Sequence, residues 1–208
     1  MEKKDILESF LLDKRQEDLL EEYIFRLKKY NSHTNLVGKS TLLNPWVSHI
    51  LDSLQILNFI ENRSLSIFDM GTGAGFPGNI LSISGCKNIT LIDSNGKKIK
   101  FLELVKKEMD LKTNIVLGRI ENFRNVKYDI IISRALASLD KLISYSQKFI
   151  KKNTVLIFLK GKTVNEEVLQ AKKKWTFQLS EHQSISDLRG KVLIIKNIKK
   201  NDKNNSYS

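Results

Sequence analysis

Asp69-Met70-Gly71-Thr72-Gly73-Ala74-Gly75-Phe76-Pro77-Gly78 holds four of the chain's ten glycines within ten positions. An apolar run, Ser66–Met70, precedes it and reads as a strand; Pro77–Ser84 follows and reads as a helix. In an open parallel sheet the ligand crevice lies outside the carboxyl ends of the strands, where this loop would fall. Glycines let a backbone turn sharply and come close to a ligand. A dinucleotide fingerprint, G-x-G-x-x-G, needs glycine at position 76, where Phe76 stands, which also disfavours a nicotinamide oxidoreductase. A phosphate-binding Walker loop begun at Gly73 needs lysine after Gly78, where Asn79 stands. Gly161-Lys162-Thr163 fails the same test, because Leu156 occupies the place of the leading glycine. What remains is G-x-G-x-G after an acidic strand end; a glycine-rich turn that binds nothing is the plainer alternative.

Working outward, the chain changes character near residue 63. Leu19, Leu20, Tyr23, Ile24, Leu27 and Tyr30 recur at helical spacing, and after a break at Asn31 to Gly38 a second helix is expected from Pro45 to about Ile60. Beyond Leu65, strands alternate with helices. The strands are Ser66–Met70, Ile89–Ile92, Asn114–Leu117, Tyr128–Ser133 and Thr154–Leu159. The later helices are Lys97–Met109, Leu139–Ile150 and Thr163–Lys173. The runs FDM, LIDS and DIIIS suit strands covered on both faces, and the alternation implies a parallel sheet with right-handed crossovers. Trp175–Leu179 and Lys191–Lys196 have no helix-sized segment between them and predict an antiparallel hairpin at one edge. The expected division is a helical extension over 1–62, a catalytic domain over 63–198, and a disordered polar tail over 199–208.

Asp93 closes the second strand, 24 residues after Asp69, close to the ~20-residue spacing at which an acid grips a ribose. A carboxylate can accept from both ribose hydroxyls; a helix cap is the plainer role for such an aspartate.

These segments together resemble one family. DMGTGAGFPG, LIDSNGKKIKFLE, GRIENF, ISRALASLD and FLKGK, in that order, are similar to the RsmG (GidB) family, and Asn35-Leu36 and His49 to Leu54 resemble its N-terminal signature. The resemblance is strong over residues 30–162. It implies an α/β fold: a class I methyltransferase, Rossmann-like seven-stranded mostly parallel sheet with an N-terminal helical extension. It implies S-adenosylmethionine as methyl donor and N7 of a guanine in a loop of 16S ribosomal RNA as acceptor. The expected cofactor residues are Gly71, Gly73, Gly75, Phe76, Asp93, Ile120, Glu121 and Arg134, with Arg134 also a candidate for positioning. Ile120 can pack on a purine, Glu121 can accept from its amine, and Arg134 can clamp an anion in bidentate fashion or form an inert ion pair. For His49 and Asp52 a buried helix pair and a direct role are equally open. Asn79 departs from the apolar residue expected there, so the helix after the loop is expected to pack differently.

The chemistry agrees with the resemblance. The chain has three scattered histidines and no cluster with metal-ligand spacing, so no metal is expected. Guanine N7 presents its own lone pair; it can attack a sulfonium methyl without losing a proton, and placement does the work. Methyltransferase families that act on a nucleobase amine usually carry Pro-Pro-Tyr after the fourth strand, and this chain does not resemble them there, since Ser133-Arg134-Ala135-Leu136 stands in that place. Carbon methylation needs a nucleophilic cysteine, and Cys86, the one cysteine, reads as core.

Composition bounds the partners. The formal charge is +12. Residues 1–62 hold 8 basic and 10 acidic residues, net −2, whereas 63–208 hold 27 and 13, net +14. A positive field on the catalytic segment suits a polyanion, although a Lys-, Asn- and Ile-rich composition also arises from mutational drift. Lys97, Lys98, Lys100, Lys160 and Lys162 are candidates to hold RNA phosphates, with solvated helix faces the even alternative. The expected partner is 16S ribosomal RNA, the small ribosomal subunit or its assembly intermediate. No apolar run spans a membrane and no signal peptide opens the chain, so a cytoplasmic location is expected; spacing and composition do not give the oligomeric state, and a monomer is the expectation. The alternatives are a class I methyltransferase acting on another RNA, a protein or a small molecule, and a non-catalytic RNA-binding module.

Overall fold

The computed structural model describes residues 1–201. Strands β1 (Ser66–Met70), β2 (Asn88–Asp93), β3 (Asn114–Leu117), β4 (Tyr128–Arg134), β5 (Ile150–Lys160), β6 (Trp175–Gln183) and β7 (Lys191–Lys200) form one sheet in the order β3-β2-β1-β4-β5-β7-β6. The first five run parallel, and β7 pairs antiparallel with both β5 and β6. The expected fold class is what forms.

Alternation along β1 sends Ile67 to one core and Phe68 to the other. On one face α4 (Gly78–Ile83) and α5 (Gly96–Glu108) cover the sheet; on the other lie α6 (Leu139–Ser146) and α7 (Val164–Lys172). The N-terminal helices α1 (Lys3–Ser9) and α2 (Lys14–Thr34) add Ile6, Leu20, Tyr23 and Leu27 to the first core. Residues 1–62 therefore share the core of the sheet.

Two expectations are corrected. The helix expected from Pro45 to Ile60 is broken into a wide π turn, Trp46–Leu51, an α turn, α3 (Asp52–Leu54), and a 3-10 segment, Gln55–Phe59. The tail expected from Lys199 does not begin there. Lys199 and Lys200 pair with Thr176 and Trp175 on β6, and the Asn201 amide donates to the Lys174 carbonyl. Main-chain pairing at a sheet edge is indifferent to side-chain polarity, so a polar composition does not stop the strand. The rest of that tail, 202–208, lies outside the described residues.

Candidate active site

The glycine loop is built around two carboxylates. Asp69, fully buried at the end of β1, accepts from the Thr72 hydroxyl at 2.7 Å and the Gly78 amide at 2.9 Å through one oxygen. Burial pushes its carboxyl up to about 6, with those two donors and Arg134 pulling the other way. Asp93, at the end of β2, accepts from the Gly73 amide at 2.9 Å and, through its other oxygen, from the Asn95 amide at 2.8 Å. Lys98 Nζ stands 3.8 Å from it.

The outer side of the loop rests on the N-terminal helix. The Tyr23 hydroxyl donates to the Ala74 carbonyl at 2.7 Å and accepts from Asn79 Nδ2 at 3.0 Å; Thr113 donates to Asn79 Oδ1 at 3.1 Å. Gly75, at φ +85, makes room for this contact, since a Cβ there would stand 2.2 Å from the Tyr23 oxygen. Asn79, the departure noted in the sequence, is thus a buried amide with a partner on both its nitrogen and its oxygen. Removing the hydroxyl in Tyr23→Phe strands the Ala74 carbonyl and one Asn79 proton, at about 1–3 kcal/mol. For the donor and acceptor that the resemblance implies, the expected result is a several-fold higher KM for S-adenosylmethionine with KM for RNA unchanged, read from steady-state kinetics varied in each substrate.

Two cavities open at the carboxyl ends of the strands. The smaller, about 190 Å³, is lined by Gly71, Asp93, Ile120, Glu121, Leu136 and Tyr145 among others. It gathers four of the eight expected cofactor residues, from the turn after β1, the end of β2 and the turn after β3. The larger, about 860 Å³, is lined in part by His49, Asp52, Arg134, Lys160 and Ser186, and Leu136 borders both. The remaining expected cofactor residues sit elsewhere. Gly73 does not line the smaller cavity but donates its amide to Asp93, which does; Gly75 faces Tyr23, and Phe76 is buried.

Arg134 organises the larger cavity. Its guanidinium donates to the Ser48 carbonyl at 3.0 Å, Asp52 at 2.8 Å and His49 Nδ1 at 3.0 Å. It also lies over the Phe76 ring at 5.2 Å, and the His49 ring stacks on Phe76 at 4.5 Å. The wide turn Trp46–Leu51 directs the Ser48 carbonyl and the His49 ring to one point, and such turns recur at functional sites. His49 and Asp52, left open by the sequence, therefore hold Arg134. With Nδ1 accepting, Nε2 is the protonated nitrogen and donates to the Thr41 hydroxyl at 2.8 Å.

Burial, then the Arg134 charge, holds His49 down at about 3. Its unfolded value, about 6.5, is higher, so the unfolded chain takes up this proton first as pH falls. The resulting stability is complete above about pH 6.5 and is lost between there and pH 3. Urea unfolding at pH 7 and pH 4.5 is expected to show the parent losing more stability than His49→Gln, by on the order of a few kcal/mol. The opposing contribution of Asp69 is common to both proteins and cancels in the difference.

Of the candidate phosphate-binding lysines, Lys97, Lys100 and Lys162 are exposed and Lys98 is half-buried beside Asp93. Lys160 is a correction. Its ammonium pairs with Glu167 at 2.6 Å and donates to the Ala137 carbonyl at 2.7 Å, with 7% of its side chain exposed, so it is already engaged. Sequence reading missed Leu136, Thr41 and the segment from Ser184 to Lys191. Leu136 stands two residues from Arg134 and carries no chemical signal of its own; Thr41 and the 184–191 segment reach the cavity from distant parts of the chain, so nothing in their spacing marks them.

The profile of the family described as rRNA small subunit methyltransferase G, GidB, matches residues 16–198. The chain belongs to that family. Among its relatives, ribosomal RNA small subunit methyltransferase G of Orientia tsutsugamushi (strain Ikeda) is 44% identical over 175 residues, which is 84% of this chain and 87% of that protein. The protein of the same description from Rickettsia prowazekii (strain Madrid E) is 37% identical over 174 residues, 84% and 90% of the two chains. Solved structures share the fold at lower identity. The ribosomal protein L11 methylase of Lactobacillus delbrueckii subsp. bulgaricus superposes with a TM-score of 0.59 at 18% identity, over 71% of this chain and 76% of that one. M. jannaschii TYW2 in complex with AdoMet does so at 0.53 and 16%, over 71% and 74%.

A GidB-family chain is an S-adenosylmethionine-dependent methyltransferase, and the residues present fit that donor. A Cβ added at Gly73 would meet nothing nearer than Lys98 Nζ at 3.9 Å, so the loop backbone is open to close approach. At Gly71 only the tip of the Leu136 side chain would stand in the way. Asp93 Oδ1 and Oδ2 each accept one amide bond, which leaves lone-pair capacity for sugar hydroxyls.

Proposed function

We propose that this GidB-family enzyme transfers the methyl group of S-adenosylmethionine to N7 of a guanine in a loop of 16S ribosomal RNA. The observation that carries the choice of atom is the state of the larger cavity. Each carboxylate lining it is paired with a cation: Asp52 with Arg134, Glu167 with Lys160, Asp187 with Arg189. The one histidine lining it, His49, is neutral, with its acceptor nitrogen engaged by Arg134. Such a cavity can position and polarise, and it offers no spare base. An acceptor that gives up no proton suits it, and guanine N7 is one.

S-adenosylmethionine supplies an electrophilic methyl group when bound. Asp93 holds the sugar, Ile120 and Glu121 face the adenine, and Gly71 and Gly73 admit the chain of the donor. Arg134, fixed by His49 and Asp52, orients the acceptor base, and placement of this kind can account for ~7–11 kcal/mol of a barrier. N7 lies in the major groove, too deep in A-form RNA for side chains to reach, so the guanine enters from a loop or swung out of its stack. Lys97, Lys98, Lys100 and Lys162 then hold phosphates near the cavities. The enzyme acts as a cytoplasmic monomer on the small ribosomal subunit, its RNA or its assembly intermediate.

Mass spectrometry of digested 16S ribosomal RNA, from cells with and without the protein, tests the proposal. The expected result is one 7-methylguanosine that disappears with the protein. The same modification pattern in both strains would overturn it.

A further inference from the structure

The segment 184–190 between β6 and β7 is fastened at three places. Ser186 donates to Asp52, the Ile185 amide donates to Gln55 Oε1 at 3.1 Å, and the Ser184 amide donates to the Gly190 carbonyl at 3.1 Å. At its tip the Gly190 amide donates to the Asp187 carbonyl at 2.9 Å, closing a turn over Leu188 and Arg189. Arg189 braces that turn through two bonds to the Asp187 carboxylate, at 2.9 and 2.8 Å. Gln183 Nε2 holds the Leu188 carbonyl at 2.8 Å.

This bracing presents a leucine to water. Leu188 is 82% exposed, while its neighbours Asp187 and Arg189 both line the larger cavity. A second exposed leucine, Leu43 at 88%, lies two residues from Thr41, which lines the same cavity. An isolated exposed leucine on a loose loop needs no explanation. A leucine held at the tip of a pinned turn, beside a cavity large enough for a base, gains nothing in folding from its place. Its chemistry suits a gap in a base stack, because proteins that bend or open nucleic acids insert such apolar wedges between bases.

We propose that Leu188 is a wedge that enters the RNA stack at the position vacated by the target guanine and keeps the guanine in the cavity during methyl transfer. The inference rests on the RNA-methylating reading above. Leu188 is a positioning residue: it acts on the stack, and Arg134 acts on the base. Opening a stack is costly, and an inserted side chain returns part of that cost.

The test uses the full chain and small ribosomal subunits from cells that lack it, with 7-methylguanosine formation as readout. Leu188→Ala is expected to lower kcat by about tenfold, equivalent to roughly 1.4 kcal/mol of barrier, with S-adenosylmethionine affinity and melting temperature unchanged. The slope of activity against salt should also be unchanged, since no phosphate contact is removed. Leu188→Met, which keeps an apolar side chain of similar length, should restore most of the rate. A parent-like kcat in Leu188→Ala, or equal impairment of the alanine and methionine variants, would overturn the wedge. Absence of 7-methylguanosine with the parent enzyme would instead strike the underlying reading.

Discussion

Gly73→Val is expected to abolish measurable binding of S-adenosylmethionine while leaving the fold intact. Gly73 sits at φ +61, a region that a β-branched residue enters only at a cost of about 1–3 kcal/mol. Its added atoms would project into the approach between the loop backbone and Lys98, where a Cβ now has 3.9 Å of clearance. Straining the backbone would also pull the Gly73 amide from Asp93, the group placed to meet the sugar. Titration calorimetry with S-adenosylhomocysteine should show no heat of binding, with circular dichroism like the parent's. Retained micromolar affinity would show that the donor does not lie on this part of the loop.

Arg134→Ala is expected to lower kcat/KM for RNA by about a hundredfold, with less than a tenfold change in donor affinity. The guanidinium ties the turn that carries Ser48, His49 and Asp52 to the end of β4 and covers the Phe76 ring. Removing it leaves the Asp52 carboxylate, with only 18% of its side chain exposed, short of its cation. Loss of a partner in a fully buried pair costs about 3–5 kcal/mol, and the residual exposure of this one lowers that figure. Arg134→Lys should recover little activity, because one ammonium cannot meet the carbonyl, the carboxylate and the imidazole together. Kinetics on ribosomal RNA, with calorimetry of the donor alongside, separate the two effects. An Arg134→Ala enzyme that turns over like the parent would make Arg134 a structural ion pair only.

The contrast between these residues shows where sequence reading stops. Gly73 was legible because its requirement is local: a glycine in a turn after a strand. Asp93 was legible for the same reason, by its place at a strand end. Arg134 was legible as a candidate, but its partners were not. Ser48, His49 and Asp52 lie more than 80 residues away in the chain, and nothing in periodicity says that a widened turn brings them to the end of β4. Lys160 shows the reverse error. Its position at the end of β5 suggested a free cation, and only the packing of α7 reveals Glu167 beside it. Asn79 read as a mismatch, and Tyr23 and Thr113 supply what it needs.

By itself, then, the amino-acid order determined the parallel sheet, its antiparallel edge, the glycine turn and the two acidic strand ends, because these follow from alternation, backbone freedom and neighbouring positions. Tertiary structure alone decided which polar groups are engaged and which are free. It joined the N-terminal helices to the core, closed the Arg134 cluster and pinned the turn bearing Leu188. The reason is physical: hydrogen bonds and ion pairs within a cavity depend on distances of about 3 Å between groups far apart in the chain, and those distances exist only after the layers have packed.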